Sequence, residues 1–88
     1  MTFSPNYSKR FIKHYLRLSS VERNAVDKKL SILFSNPSHP SLRTKLVRGN
    51  DGLYECSINM DIRVLWTYES GTILLLVDVG HHDILDKL

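Results

Sequence analysis

An α+β fold, with an N-terminal helical hairpin packed on a three- to four-stranded, mainly antiparallel sheet, is what the sequence predicts. Three observations predict it. Apolar residues recur at helical spacing up to Phe34, the apolar period changes to two from Leu53 onward, and short turn sequences containing Gly, Asn or Asp separate the later runs.

Taken in order, the chain starts with a short extended segment over 2–4, and Ser4-Pro5 resembles an N-cap followed by proline at the first helical position. A first helix is expected to run from there to about Leu18. Tyr7, Phe11, Tyr15 and Leu18 form its apolar stripe, and Lys9, Arg10, Lys13, His14 and Arg17 occupy the rest. Ser19-Ser20-Val21-Glu22 has the form of a capping box, so a second helix restarts there, with Val26, Leu30, Leu33 and Phe34 as its buried stripe. Asn36-Pro37 ends it, because the residue before proline avoids helical geometry. With almost no linker between them, the helices are expected to pair as an antiparallel hairpin.

A Ser-, Pro- and His-rich loop over 35–42 leads to the basic segment 43–48, read as a short strand, and Gly49 to Gly52 is a turn. From Leu53 the pleat separates a dry face, with Tyr54, Cys56 and Ile58, from a wet one, with Leu53, Glu55, Ser57 and Asn59. Met60-Asp61 closes a hairpin, after which Ile62, Val64, Trp66 and Tyr68 alternate with Arg63, Leu65 and Thr67. Glu69-Ser70-Gly71 turns the chain into a last strand, Thr72 to Val79. That strand is apolar on both faces except at Asp78, which suits a central position.

The 88 residues, 42% of them hydrophobic, supply one small core, so a single domain over 1–88 is expected. Twelve Lys and Arg against nine Asp and Glu give a net charge of +3, a mild bias toward polyanionic or acidic partners. The single cysteine, Cys56, cannot form an internal disulfide or a thiolate metal cluster, which points to the cytoplasm. Met1 to Asn6 lacks an apolar h-region and the longest apolar run, Ile73 to Val77, is far short of the ~20 residues of a membrane span, so neither secretion nor membrane insertion is expected.

Chemistry concentrates on the expected open face of the sheet. Arg63 lies there beside Glu55, Ser57 and Asn59, with the 43–48 segment at the border and Gly80-His81-His82-Asp83 at the end. Titratable groups on the rim of a rigid sheet suit acid–base chemistry or the holding of RNA. A metal site made of His81, His82 and Asp83 is not expected, since consecutive residues rarely converge on one ion.

These residues resemble those of small toxins from bacterial and archaeal toxin–antitoxin pairs, the RelE/ParE superfamily, and among them the RelE-type messenger RNA interferases. The carriers are Arg17-Leu18, Asn36-Pro37, the stretch His39-Pro40-Ser41-Leu42 through Lys45-Leu46 to Gly49, Gly52-Leu53-Tyr54, the strand from Asp61 through Arg63 to Trp66, and the closing Val79 to Asp83. The resemblance implies a RelE-like fold and a type II toxin that inhibits translation by cleaving messenger RNA on the ribosome. No metal or other cofactor is implied, because the 2′-hydroxyl attacks its own phosphate. It also implies a cognate antitoxin whose tail folds on the toxin. Two alternatives stay open: a ParE-like toxin that binds DNA gyrase without nuclease activity, and a degenerate member that only binds an antitoxin.

Carried onto this sequence, the resemblance makes His82 the general acid, a task suited to imidazole near neutral pH. It makes Arg63 the phosphate clamp. Asp61 stands where some relatives place a functional acid, with a plain turn aspartate as the alternative. Glu55 and Ser57 replace two strand lysines of one branch, which leaves Glu55 as a candidate general base. Arg43, Lys45 and Arg48 become an RNA-binding patch; a charged sheet edge is the competing reading. Arg63 paired with Glu55 across the strands is a structural alternative. Trp66, Tyr54 and Tyr68 are read as core in preference to base-stacking residues. A tyrosine common near the C-terminus of the family is absent, and Leu85 stands near its place.

Overall fold

Ser8, and not Ser4, starts the first helix: its hydroxyl accepts the N–H of Phe11 at 2.9 Å, and α1 spans Lys9–Leu16. Ser4–Tyr7 is instead a strand, β1. In this computed structural model, which describes residues 2–83, β1 runs parallel to the last strand, with Ser4 opposite Ile73 and Tyr7 opposite Leu76. The N–H groups of Ser4 and Ser8 donate to Thr72 and Leu76. Every second residue of a parallel strand donates inward, so Pro5 faces the outer edge, where its missing N–H costs nothing. Ser4-Pro5 therefore marks an edge strand, and the expected N-cap is corrected.

The second helix, α2, covers Ser20–Ser35 and carries the expected capping box. Ser19 accepts from the Glu22 N–H at 3.1 Å, and Glu22 accepts from the Ser19 N–H at 2.8 Å. Asn36 is extended ahead of Pro37 and ends the helix. A 3₁₀ turn at Pro40–Leu42 follows, then β2 at Lys45–Leu46, β3 at Leu53–Ser57, β4 at Ile62–Ser70 and β5 at Ile73–His81. The sheet order is β1-β5-β4-β3-β2, with all pairs antiparallel except β1 with β5. Five mixed strands thus replace the three or four expected. The helical hairpin holds only loosely: α1 lies against β5, and the Tyr15 hydroxyl donates to Asp27 of α2.

Phe11, Leu18, Val26, Leu30, Leu33 and Leu42 cover the sheet residues Cys56, Val64, Trp66, Leu74, Leu76 and Val79. Each fully buried side chain of this kind contributes about 1.5–3 kcal/mol. Burial, reinforced by the neighbouring charge of Glu55, pushes the Cys56 thiol up to about 12, so it is a packing residue and not a nucleophile. The opposite face is drier than the alternation suggests. Val47 and Leu65 are buried there with Leu53 and Val77 against them, and Glu55 is buried as well.

Candidate functional site

The site starts at the β3–β4 hairpin. Asn59 Oδ1 accepts the N–H groups of Asp61 and Ile62 at 2.9 and 2.7 Å, a side-chain turn that fixes Asp61 at the sheet rim. β5 runs antiparallel to β4 and places His81 opposite Ile62. The end of β5 is thereby brought beside Asp61. His81 Nδ1 donates to Asp61 Oδ2 at 2.6 Å, and His82 Nδ1 donates to Oδ1 at 3.3 Å. On the far side of the first ring, His81 Nε2 lies 4.0 Å from Glu22 Oε2 at the start of α2.

Two imidazoles on one carboxylate have an electrostatic consequence. Their hydrogen bonds, His81 first and His82 next, hold the Asp61 carboxyl below its usual range. Glu22 is lowered too, chiefly by the backbone N–H of Ser19 in the capping box. His81 is engaged on both ring nitrogens, whereas among the described residues His82 is bonded through Nδ1 alone and is 71% exposed. β5 stays extended as far as His81 and turns at His82, which lets the rings of both neighbours reach Asp61. Glu22, Asp61 and His81 also offer ligand atoms within 4.8 Å of one another. With Asp61 taken up by His81 Nδ1, an ion between His81 Nε2 and Glu22 would have two protein ligands, fewer than a catalytic metal ordinarily uses.

Arg63 stands opposite Ser57 and Gly80, two residues along β4 from Asp61. Its Nη1 donates to the carbonyls of Asn59 and Ile62 at 2.6 and 3.2 Å. It is not paired with Glu55. Arg63 lines a cleft of about 460 Å³ with Lys29, Arg43, Ser57 and Asn59, and three cations with no carboxylate among the lining side chains make a place for phosphate. Lys29, whose Nζ donates to the Ser41 carbonyl at 3.0 Å, is absent from the sequence-derived candidates. On α2 it reads as one more solvated lysine, and only the fold of the 36–43 loop brings it to the cleft.

Other candidates are dispersed. Glu55 lies opposite Lys45 in the β2–β3 register, with Nζ 3.4 Å from its buried carboxylate. Arg43 caps the 3₁₀ turn in a left-handed conformation, φ 49°, and Arg48 is exposed in the next turn. Arg43, Lys45 and Arg48 therefore do not form the continuous basic strand expected from their spacing. Leu85 lies outside the described residues. One ionic centre was not singled out from the sequence. Asp78, fully buried, accepts from Arg10 Nε at 2.8 Å and His14 Nδ1 at 2.6 Å.

No protein-family profile matches the sequence, and no curated protein matches it. Solved structures do match in fold. The chain is similar to Escherichia coli YafQ in the DinJ–YafQ toxin–antitoxin complex, with a TM-score of 0.74 and 15% identity over 97% of this chain and 98% of that one. It is similar to E. coli toxin RelE, an arginine double mutant in the free state, with a TM-score of 0.76 and 18% identity over 98% and 90% of the two chains. A YoeB/ParE toxin from Agrobacterium tumefaciens gives 0.76 and 13% over 91% and 99%. The chain thus has the RelE-like α+β fold over nearly its whole length.

Proposed function

We propose that the protein is the toxin of a toxin–antitoxin pair, a metal-independent endoribonuclease that cuts messenger RNA on the ribosome and is silenced by a cognate antitoxin. The observation that carries this reading is the grip of Asp61 on His81 and His82, two residues along the sheet rim from Arg63 and its cationic cleft. Similarity in fold to a toxin solved with its antitoxin supports the partner.

In this reading a backbone phosphate of the RNA sits against Lys29, Arg43 and Arg63. The neighbouring 2′-oxygen attacks phosphorus, the bond to the 5′-oxygen breaks, and a 2′,3′-cyclic phosphate is left behind. Arg63 stabilises the charge that builds on the phosphoryl oxygens. His82 gives its proton to the departing 5′-oxygen, and Asp61 sets the orientation of the ring. His81 ties the rim to Glu22 on α2. Of the two carboxylates, Asp61 is engaged with both imidazoles and serves to orient His82, and Glu55, buried against Lys45, receives the 2′-hydroxyl proton once that lysine swings aside.

Mapping of transcript ends after induction tests the proposal. Cuts inside translated codons are expected, reduced about 10²–10³-fold in Arg63→Ala while the fold is retained. Intact transcripts accompanied by gyrase-linked DNA breaks would replace the nuclease with a gyrase-binding toxin. Intact transcripts and intact DNA, with antitoxin binding kept, would leave an inactive antitoxin-binding member.

A further inference from the structure

A second cleft adjoins the cationic one, and Arg43 lines both. It measures about 370 Å³ and is walled by three aromatic rings on one side and by the 37–44 loop, with Pro37, Pro40 and His39, on the other. Tyr54 stacks on Trp66 with ring centroids 4.9 Å apart, and Tyr68 stands edge-on to both at 5.8 and 5.1 Å. Trp66 is only 1% exposed, whereas Tyr68 is 48% exposed.

Two features of this cleft are not explained by packing. Trp66 Nε1 is buried without a hydrogen-bond partner, the one such side-chain atom among the described residues. A buried donor left unpaired costs free energy, and a native core of this size ordinarily satisfies it. Arg43, where the two clefts meet, is the one non-glycine among the described residues with positive φ. Holding a side chain in that region also costs free energy.

We infer that this cleft is a nucleobase subsite, in which a base flanking the phosphate held by Lys29, Arg43 and Arg63 stacks on the Tyr68 and Tyr54 rings and accepts a hydrogen bond from Trp66 Nε1. This rests on the reading of the protein as an RNA-cleaving toxin. A nucleotide uses every part of the juxtaposition: its base has a π face for the rings and acceptors for the indole N–H, and its phosphate has Arg43. A free phosphate gains nothing from three aromatic rings. A proline or aliphatic peptide side chain fills the space but leaves the indole donor and Arg43 unused. Trp66 Nε1 is buried in the free protein, so a base reaches it by shifting the half-exposed Tyr68 ring on which it stacks.

Trp66 is the only tryptophan in the chain, and its fluorescence reports directly on the cleft. The full-length toxin is titrated with 2′-O-methyl RNA tetranucleotides, which carry no 2′-hydroxyl and cannot be cut, and with abasic counterparts of the same charge. Saturable quenching by the tetranucleotide, at least tenfold weaker for the abasic strand, is expected. Tyr68→Ala should weaken binding of the tetranucleotide about tenfold, in line with the loss of one base stack. Calorimetry should show that Trp66→Phe, which keeps a ring and removes the donor, also binds more weakly. Arg43→Gly should weaken binding while leaving the melting temperature equal or higher, since glycine relieves the left-handed backbone. Equal binding of the abasic strand would reduce the cleft to an extension of the phosphate site and overturn the inference. So would unchanged affinity in Tyr68→Ala, or displacement of Pro-rich peptide in preference to RNA. Because the probes are uncleavable, the base site and the nuclease reading can fail separately.

Discussion

Asp61 and Asp78 each accept hydrogen bonds from two basic side chains, yet the first is 55% exposed and the second is sealed from solvent. Asp78 ties β5 to α1 through Arg10 and His14, and it also accepts its neighbour Val79's N–H at 2.8 Å. A β-bulge makes this possible: Leu65 pairs with Asp78 and Trp66 with Leu76, so Val77 is the extra residue. A carboxylate buried like this requires its partners, because an uncompensated charge in the interior is expensive. Asp61 is the opposite case. Ion pairs in water are weak, so Asp61 orients His82 through Nδ1 without locking it and leaves the other ring nitrogen to a substrate oxygen, and the same constellation that locks the fold at one place leaves chemistry free at the other.

The contrast breaks most sharply under substitution of the histidines. His82→Gln is expected to lower cleavage about 10²–10⁴-fold, the usual worth of a positioned general acid, with a melting temperature close to the parent's. His14→Gln should do the reverse, costing stability and sparing cleavage in whatever fraction remains folded. The two are compared by the appearance of RNA ends in a translating extract and by thermal melts of the same preparations. Equal loss of cleavage in both variants would erase the division between a structural and a reactive carboxylate. The next effect in size is thermodynamic. Asp78→Asn should cost about 2–4 kcal/mol, below the full cost of breaking a buried pair because Arg10 and His14 retain contact with water. For a domain of this length that is a fall of roughly 10–20 °C in melting temperature.

The difference between the two aspartates also marks what could be read in the sequence. Helix α2 with its capping box, the stop at Asn36-Pro37 and the β3–β4–β5 meander follow from local patterns, and the structure has them where those patterns place them. Arg63, Asp61 and the histidines were found because they lie at a hairpin and at a strand end, where register is set by short-range pairing. What was not legible depends on contacts distant in sequence. Ser4-Pro5 satisfies an N-cap and an edge strand equally well, and only the distant partner β5 decides between them. Asp78 looks like an interruption of an apolar strand until α1, more than sixty residues away, supplies Arg10 and His14. Lys29 and the aromatic cleft likewise depend on how the 37–44 loop folds back, which no periodicity encodes.

Acid titration gives the smallest effect and the finest test of the comparison. His81 and His82 hold the Asp61 carboxyl below its usual range, so the folded state favours the ionised form relative to the unfolded chain. Its contribution to stability is therefore fully present above the unfolded aspartate value, near pH 4, and is lost as pH falls through the lower folded value. The stability gap between the parent and Asp61→Asn, measured by urea unfolding at a series of pH values, should narrow as the pH is taken downward from about 4. High salt should shrink the gap at every pH, because the group is exposed and its interactions are screened. The gap between the parent and Glu22→Gln should narrow in the same direction as pH falls, since the capping box lowers that carboxyl as well, and the Asp61 and Glu22 effects should interact because both groups face His81. Strict additivity of the two, with an Asp61 gap that does not change in acid, would mean that the imidazoles do not sit on Asp61 in solution, and the case for a preset His82 would fall with it.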